Sequence, residues 1–192
     1  KVSGPGTLTF SPLANVEDPG VIADAEGVYV IRLTAADAAG NSGFDEVVMT
    51  WDTTAPTATV TNAPTGTSGT AVLAVEVAGT DVVAFRYKIG ADSTIDCTSA
   101  AGYGAEVAVS TGAPDIMDNI TAIANGPVEL CVIGRDNALP GGNFQSVGTS
   151  ATWTKDVTPP MIMAVNIVGE PTGASAATAL NVTITDPGDA AA

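Results

Sequence analysis

The sequence predicts an all-β protein, built as Greek-key β-sandwiches in a linear array. Gly (21) and Pro (12) are frequent, and the apolar residues fall in short runs rich in Val, Ile and Thr, a composition of strands joined by tight turns. No stretch carries the 3.6-residue apolar period of a helix. A phrase of Trp, Asp, Thr and Pro occurs twice, as WDTTAPTATV from Trp51 and as WTKDVTPPMI from Trp153. The 104 positions from Asp52 to Asp156 are the size of one small β domain, so the phrase marks the boundary between modules.

The elements follow in order. Gly27 to Asp52 resolves into a hairpin: Val28, Val30 and Arg32 alternate with Tyr29, Ile31 and Leu33, and a second strand runs through Val47, Val48 and Met49 to Trp51. Asp37, Gly40 and Asn41 supply the turn, because an Asx side chain bonds nearby backbone N–H groups and both Gly and Asn tolerate positive φ. The same hairpin returns over Gly126 to Asp156. Gly126, Val128, Leu130, Val132 and Asp136 stand where Gly27, Tyr29, Ile31, Leu33 and Asp37 stood, with a longer loop through Pro140, Gly141, Gly142 and Asn143.

The openings repeat as well. A strand through Val60 leads to a Pro64-Thr65-Gly66 turn and an alternating strand from Val72 to Val77; a strand through Val165 and Ile167 leads to Pro171-Thr172-Gly173 and a strand from Leu180 to Ile184. Between opening and closing, segments 82–90, 104–110 and 116–120 bring one module to about seven strands, the number of a Greek-key sandwich. Residues 57–158 therefore form one complete module, 1–56 the closing part of a preceding one, and 159–192 the opening part of a following one. Each partial sheet is expected to expose strand edges and an apolar face, which either a longer polypeptide or a neighbouring copy would complete. The Pro-containing junctions are expected to be short and extended.

Composition narrows function. With 45% hydrophobic residues the chain has a core to bury, and a formal charge of −15 disfavours nucleic acid and anionic membranes while favouring cations. No apolar run approaches the roughly 20 residues of a membrane span. The chain has no His, which removes Ser/His/Asp and Cys/His catalysis, and the expectation is a protein that is not an enzyme.

GVYVIRLTAADAAGN resembles the late strands of PKD-like and bacterial immunoglobulin-like domains, which show a G-x-Y-x-(V/I)-x-L-x-A-x-D-x-x-G-N pattern. KVSGPGTLTF is similar to an earlier part of the same module, and DTTAP to the linkers of tandem bacterial immunoglobulin-like repeats. The resemblance implies secretion and a place at the cell surface, as an adhesin stalk or a filament or layer subunit, whose partners are adjacent repeats, neighbouring copies, and surface glycans or proteins. The alternative is a carbohydrate-binding or spacer module of a secreted enzyme.

Cys97 and Cys131 are the only cysteines, on segments that a Greek key brings together. A bridge between them implies an oxidising compartment; two separate buried thiols are the other reading. Asp37, Asn41 and Asp52, repeated as Asp136, Asn143 and Asp156, are oxygen donors near the module ends. They read either as Asx turns or as ligands of junctional Ca²⁺, which wants six to eight oxygens; resemblance to calcium-stiffened adhesin repeats would put that ion at the junctions. Trp51 and Trp153 are expected to pack at the junctions, although exposed they would suit sugars. Phe85, Tyr87 and Ile89 form the inward face of a strand whose other face, Arg86 and Lys88, discourages edge pairing. Asn119 and Asn181 begin glycosylation sequons expected within strands.

Overall fold

The structure is a computed structural model that describes residues 1–159, 166–168, 173, 176 and 183–185. Every regular element of the described residues is a β-strand apart from one 3-10 turn at Asp92–Thr94. The all-β expectation holds. Of the sequence expectations, the strand at Val165, the Pro171–Thr172 part of the last turn and the start of the strand at Leu180 lie outside the described residues.

Residues 1–56 make two antiparallel pairs. Strand β1 (Leu8–Ser11) pairs with β2 (Gly20–Ala23), and β3 (Gly27–Ala36) pairs with β4 (Ser42–Trp51) from Gly27↔Trp51 to Ala36↔Ser42. The free edge of β3 is met at one point, where Val30 N–H donates to the Ser3 carbonyl at 3.1 Å. Tyr29 is fully buried, and its hydroxyl donates to the Ala25 carbonyl (2.6 Å) while accepting from Gly6 N–H (3.0 Å). Gly4, at φ +133°, lies against that ring so closely that a Cβ would collide with it.

Residues 57–158 pack as two groups of strands around one core. β5 (Thr59–Thr61) pairs with β7 (Glu76–Ala78), and a five-stranded sheet runs in the order β6 (Thr67–Ser68), β11 (Thr149–Lys155), β10 (Gly126–Arg135), β8 (Ala84–Ala91), β9 (Val107–Ala108). All of its pairings are antiparallel except β6 with β11. Alternation on β10 sends Val128, Leu130 and Val132 inward, where they meet Phe85 of β8, Trp153 of β11 and Leu73, Val75 and Val77 of the opening segment. Gln145 stitches the two groups, its Oε1 accepting from Ala58 N–H (2.9 Å) and Gly134 N–H (3.1 Å).

Three expected strands are shorter than their patterns suggest. Only Val107 and Ala108 of segment 104–110 enter the five-stranded sheet, and only the end of the Val72–Val77 run is strand, as part of β7 in its pair with β5. Segment 116–120 forms no strand; isolated bridges Val72↔Asn119 and Val75↔Ile116 hold it. Short side-chain bonds compete with the ladder here: Asp115 accepts from Val77 N–H and Ser110 N–H, and Asn119 Oδ1 accepts from Thr121 N–H. The Asn119 sequon thus lies at a bridge and turn, and the Asn181 sequon begins outside the described residues.

Past residue 158, β12 (Asn166–Val168) pairs with β13 (Thr183–Thr185) through Asn166↔Thr185, Ile167↔Ile184 and Val168↔Thr183. β5 and β7 pair through Thr59↔Ala78, Val60↔Val77 and Thr61↔Glu76, the same ladder 107 positions earlier. The closing hairpins agree in the same way, since Gly27↔Trp51 and Gly126↔Lys155 both begin their ladders. The repeated phrase is not a structural repeat at its tryptophans. Trp153 pairs with Val128, and the corresponding position opposite Tyr29 belongs to Met49, so the two tryptophans are not equivalent.

Candidate functional site

The six predicted oxygen residues occupy matching loops. At the tip of the β3–β4 hairpin, Asp37 Oδ1 accepts from Ala39 N–H (2.9 Å) and Asn41 N–H (2.8 Å), while Oδ2 accepts from Asn41 Nδ2 (2.8 Å). In the longer β10–β11 loop, Asp136 Oδ1 accepts from Ala138 N–H (2.9 Å) and Asn143 N–H (2.7 Å), and Oδ2 from Asn143 Nδ2 (2.9 Å). These are two copies of one clasp. In each, three N–H donors occupy the carboxylate, two on Oδ1 and one on Oδ2, which is the bonding of an Asx turn.

The environments differ. Asp37 is exposed, and the Asn41 side chain and backbone hold its carboxyl below the ordinary range. Asp136 is 1% exposed; burial opposes its ionisation, yet the N–H groups of Asn143 and Ala138 and the Asn143 amide still hold its carboxyl down.

Asp52 and Asp156 cap the junctions, Oδ1 accepting from Thr54 N–H (3.0 Å) and Thr158 N–H (2.9 Å) respectively. A second residue braces each junction, and sequence reasoning missed both. Glu26 accepts from Thr53 N–H (2.9 Å) and from the Thr53 (2.7 Å) and Thr54 (2.8 Å) hydroxyls, which lowers its pKa. Asn125 donates to Asp156 Oδ1 (3.1 Å) and Thr158 Oγ1 (2.6 Å). Each directly precedes the glycine that opens the closing hairpin, and that shared position was the available signal.

Trp51 is half-buried and lines an open cleft with Glu26, Asp52, Pro56, Gly79 and Asp81, at the first junction. Trp153 belongs to the core of residues 57–158.

Cys97 and Cys131 form a disulfide, Cα atoms 5.3 Å apart. Cys131 lies on the face of β10 opposite Leu130 and Val132, and the loop after β8 folds over that face. Lys88 anchors it, its Nζ donating to the Ser99 (2.8 Å) and Ala101 (2.9 Å) carbonyls and sitting 4.3 Å from the Tyr103 ring. Lys88 is therefore buried rather than an edge guard, and β8 has β10 on one side and β9 on the other. Phe85 is fully buried, with Tyr87 and Ile89 packed half-buried against the core, as the alternation predicts.

Among the described residues, the one close group of three potential metal ligands is Cys97, Glu129 and Cys131, whose sulfurs are bonded to each other. No helix among those residues is long and apolar enough to cross a membrane. No family model, curated protein or solved structure matches the chain.

Proposed function

We propose that the chain is part of a tandem array of immunoglobulin-like, PKD-like β-sandwiches that serves outside the cell as a non-enzymatic rod, stalk or surface filament. One observation carries the reading: the opening ladder and the closing ladder each occur twice in the same register, β5–β7 as β12–β13 and β3–β4 as β10–β11. A module repeated along a chain and joined by short Thr- and Pro-containing linkers makes an extended object whose contacts are with its neighbours.

Three features support it. The Tyr29 hydroxyl reaching back to Ala25 has the geometry of the tyrosine corner of immunoglobulin-like sandwiches. The disulfide suits an oxidising compartment. Glu26 and Asn125 brace the start of each linker against the hairpin before it, which limits bending.

Small-angle scattering and electron microscopy of the purified protein test the reading. Elongated particles with a periodicity near one domain length are expected; a compact sphere would refute it. Sedimentation with surface polysaccharides separates this reading from the carbohydrate-binding one, which requires saturable binding.

A further inference from the structure

The closing half-module at residues 1–56 carries an open apolar groove. Phe10 and Val21 of the β1–β2 pair and Ile31, Leu33 and Val47 of the β3–β4 hairpin line it. Leu33 is 71% exposed and Val47 57%. Residues at the equivalent ladder positions in the complete module show what such a surface normally meets: Leu130 and Val132 stand where Ile31 and Leu33 stand, and both are fully buried against Leu73, Val75 and Val77.

The β1–β2 pairing points the same way. Thr7 to Ser11 and Glu106 to Ser110 lie at the spacing that separates Gly27 from Gly126, and so do Val21 and Ile120. In the complete module, the counterpart of β1 pairs with β8, and the segment ending at Ile120 bridges to Val72 and Val75. In residues 1–56, β1 and β2 pair with each other instead.

We propose that a second copy of this chain fills the groove with its own opening segment, residues 159–192, so that copies join head to tail. That segment has the opening ladder in the register of β5–β7, and Leu180, Val182 and Ile184 stand at the sequence positions of Leu73, Val75 and Val77, the residues that cover Leu130 and Val132. The joint reproduces a packing that the molecule already contains. Charge agrees: residues 159–192 hold Glu170, Asp186 and Asp189 and no cation, whereas the groove rim sets Lys1 and Arg32 beside Asp45 and Glu46, neutral within a chain of −15. The inference extends the tandem array from within one chain to between chains, as strand complementation does in other assemblies.

Light scattering across micromolar to millimolar concentration tests it on the full chain with two variants, Leu33→Asp in the groove and Ile184→Asp in the donor segment. The wild-type mass should rise with concentration, and either variant alone should need at least about tenfold more protein to associate. An equimolar mixture should recover dimers but nothing longer, because it retains one intact groove and one intact donor. A wild-type monomer at every concentration overturns the inference, as does wild-type association by Leu33→Asp or a mixture that stays monomeric. A monomer destabilised by Leu33→Asp as strongly as by Val132→Asp means that the groove is filled within one chain, which also overturns it. The tandem-array reading rests on the repeated ladders and survives each of these failures.

Discussion

The side-chain amide of Asn143 donates to the main-chain carbonyl of Asp52 at 3.2 Å, across 91 residues of sequence, while the same nitrogen donates to Asp136 at 2.9 Å. One side chain therefore closes the β10–β11 loop and ties it to the chain just after β4. Asn41, at the matching position of the preceding hairpin, closes only its own loop.

Asn143→Ala is expected to destabilise residues 57–158 by about 1 to 3 kcal/mol, because it leaves the buried Asp136 carboxylate with fewer donors and frees the Asp52 carbonyl. Asn41→Ala, on an exposed loop, should cost well under that. Chemical denaturation of both variants checks the contrast, and equal losses would show that the junction bond contributes nothing.

Reduction of the Cys97–Cys131 bridge should lower the stability of residues 57–158 by about 3 to 4 kcal/mol, the chain-entropy value for a loop closed across 34 positions. The unreduced protein should weigh two hydrogens less than its sequence and offer no thiol to an alkylating reagent. Denaturant midpoints with and without reductant give the magnitude; two alkylated cysteines in the untreated protein would contradict the bridge.

Strand alternation made the fold class, both closing hairpins and the inward residues of β10 legible, because burial on one face of a strand writes a period of two into the sequence. The segments at 104–110 and 116–120 were over-read: Asp115 takes the Ser110 N–H that the pattern assigns to a ladder, and 116–120 meets its neighbours only at isolated bridges. Asp37 and Asp136 were found by repetition, whereas Lys88 was misplaced because nothing in its local pattern reports the loop that covers it. The tryptophans misled because Trp51 and Trp153 sit two residues apart in their ladders, although the phrase around them is alike.

Tyr29→Phe should loosen residues 1–56 selectively. It removes the bond to Ala25 and leaves Gly6 N–H without its acceptor, a loss of about 1 to 2 kcal/mol. Limited proteolysis should then cut within residues 1–27 sooner while residues 57–158 resist as before. Unchanged cleavage would mean that the ring alone fixes this corner.

Calcium addresses the other reading of the oxygen residues. With Asp37 and Asp136 engaged by N–H donors, the expected result is one melting temperature in millimolar Ca²⁺ and in chelator. A rise with Ca²⁺ that Asp52→Asn or Asp156→Asn abolishes would instead place the ion at the junctions.

Acid should unfold residues 57–158 through Asp136. Its folded-state pKa lies below the ordinary 3.8, so its contribution is fully present above the unfolded value and is lost as pH falls through the folded one. Glu129 has the opposite sign: burial, then Asp92 and Asp96, raise its pKa, so its charged form weakens the fold at neutral pH and protonation relieves this. Glu129→Gln should therefore raise the unfolding midpoint at pH 7 and lose that advantage once Glu129 is itself protonated. Asp136→Asn should lower the midpoint at pH 7, because its amide would turn N–H groups toward the Asn143 amide, and it should flatten the decline below about pH 4. Thermal melts of the three proteins from pH 7 to pH 2 measure both effects, and an acid limb unchanged in Asp136→Asn would assign it to other carboxylates.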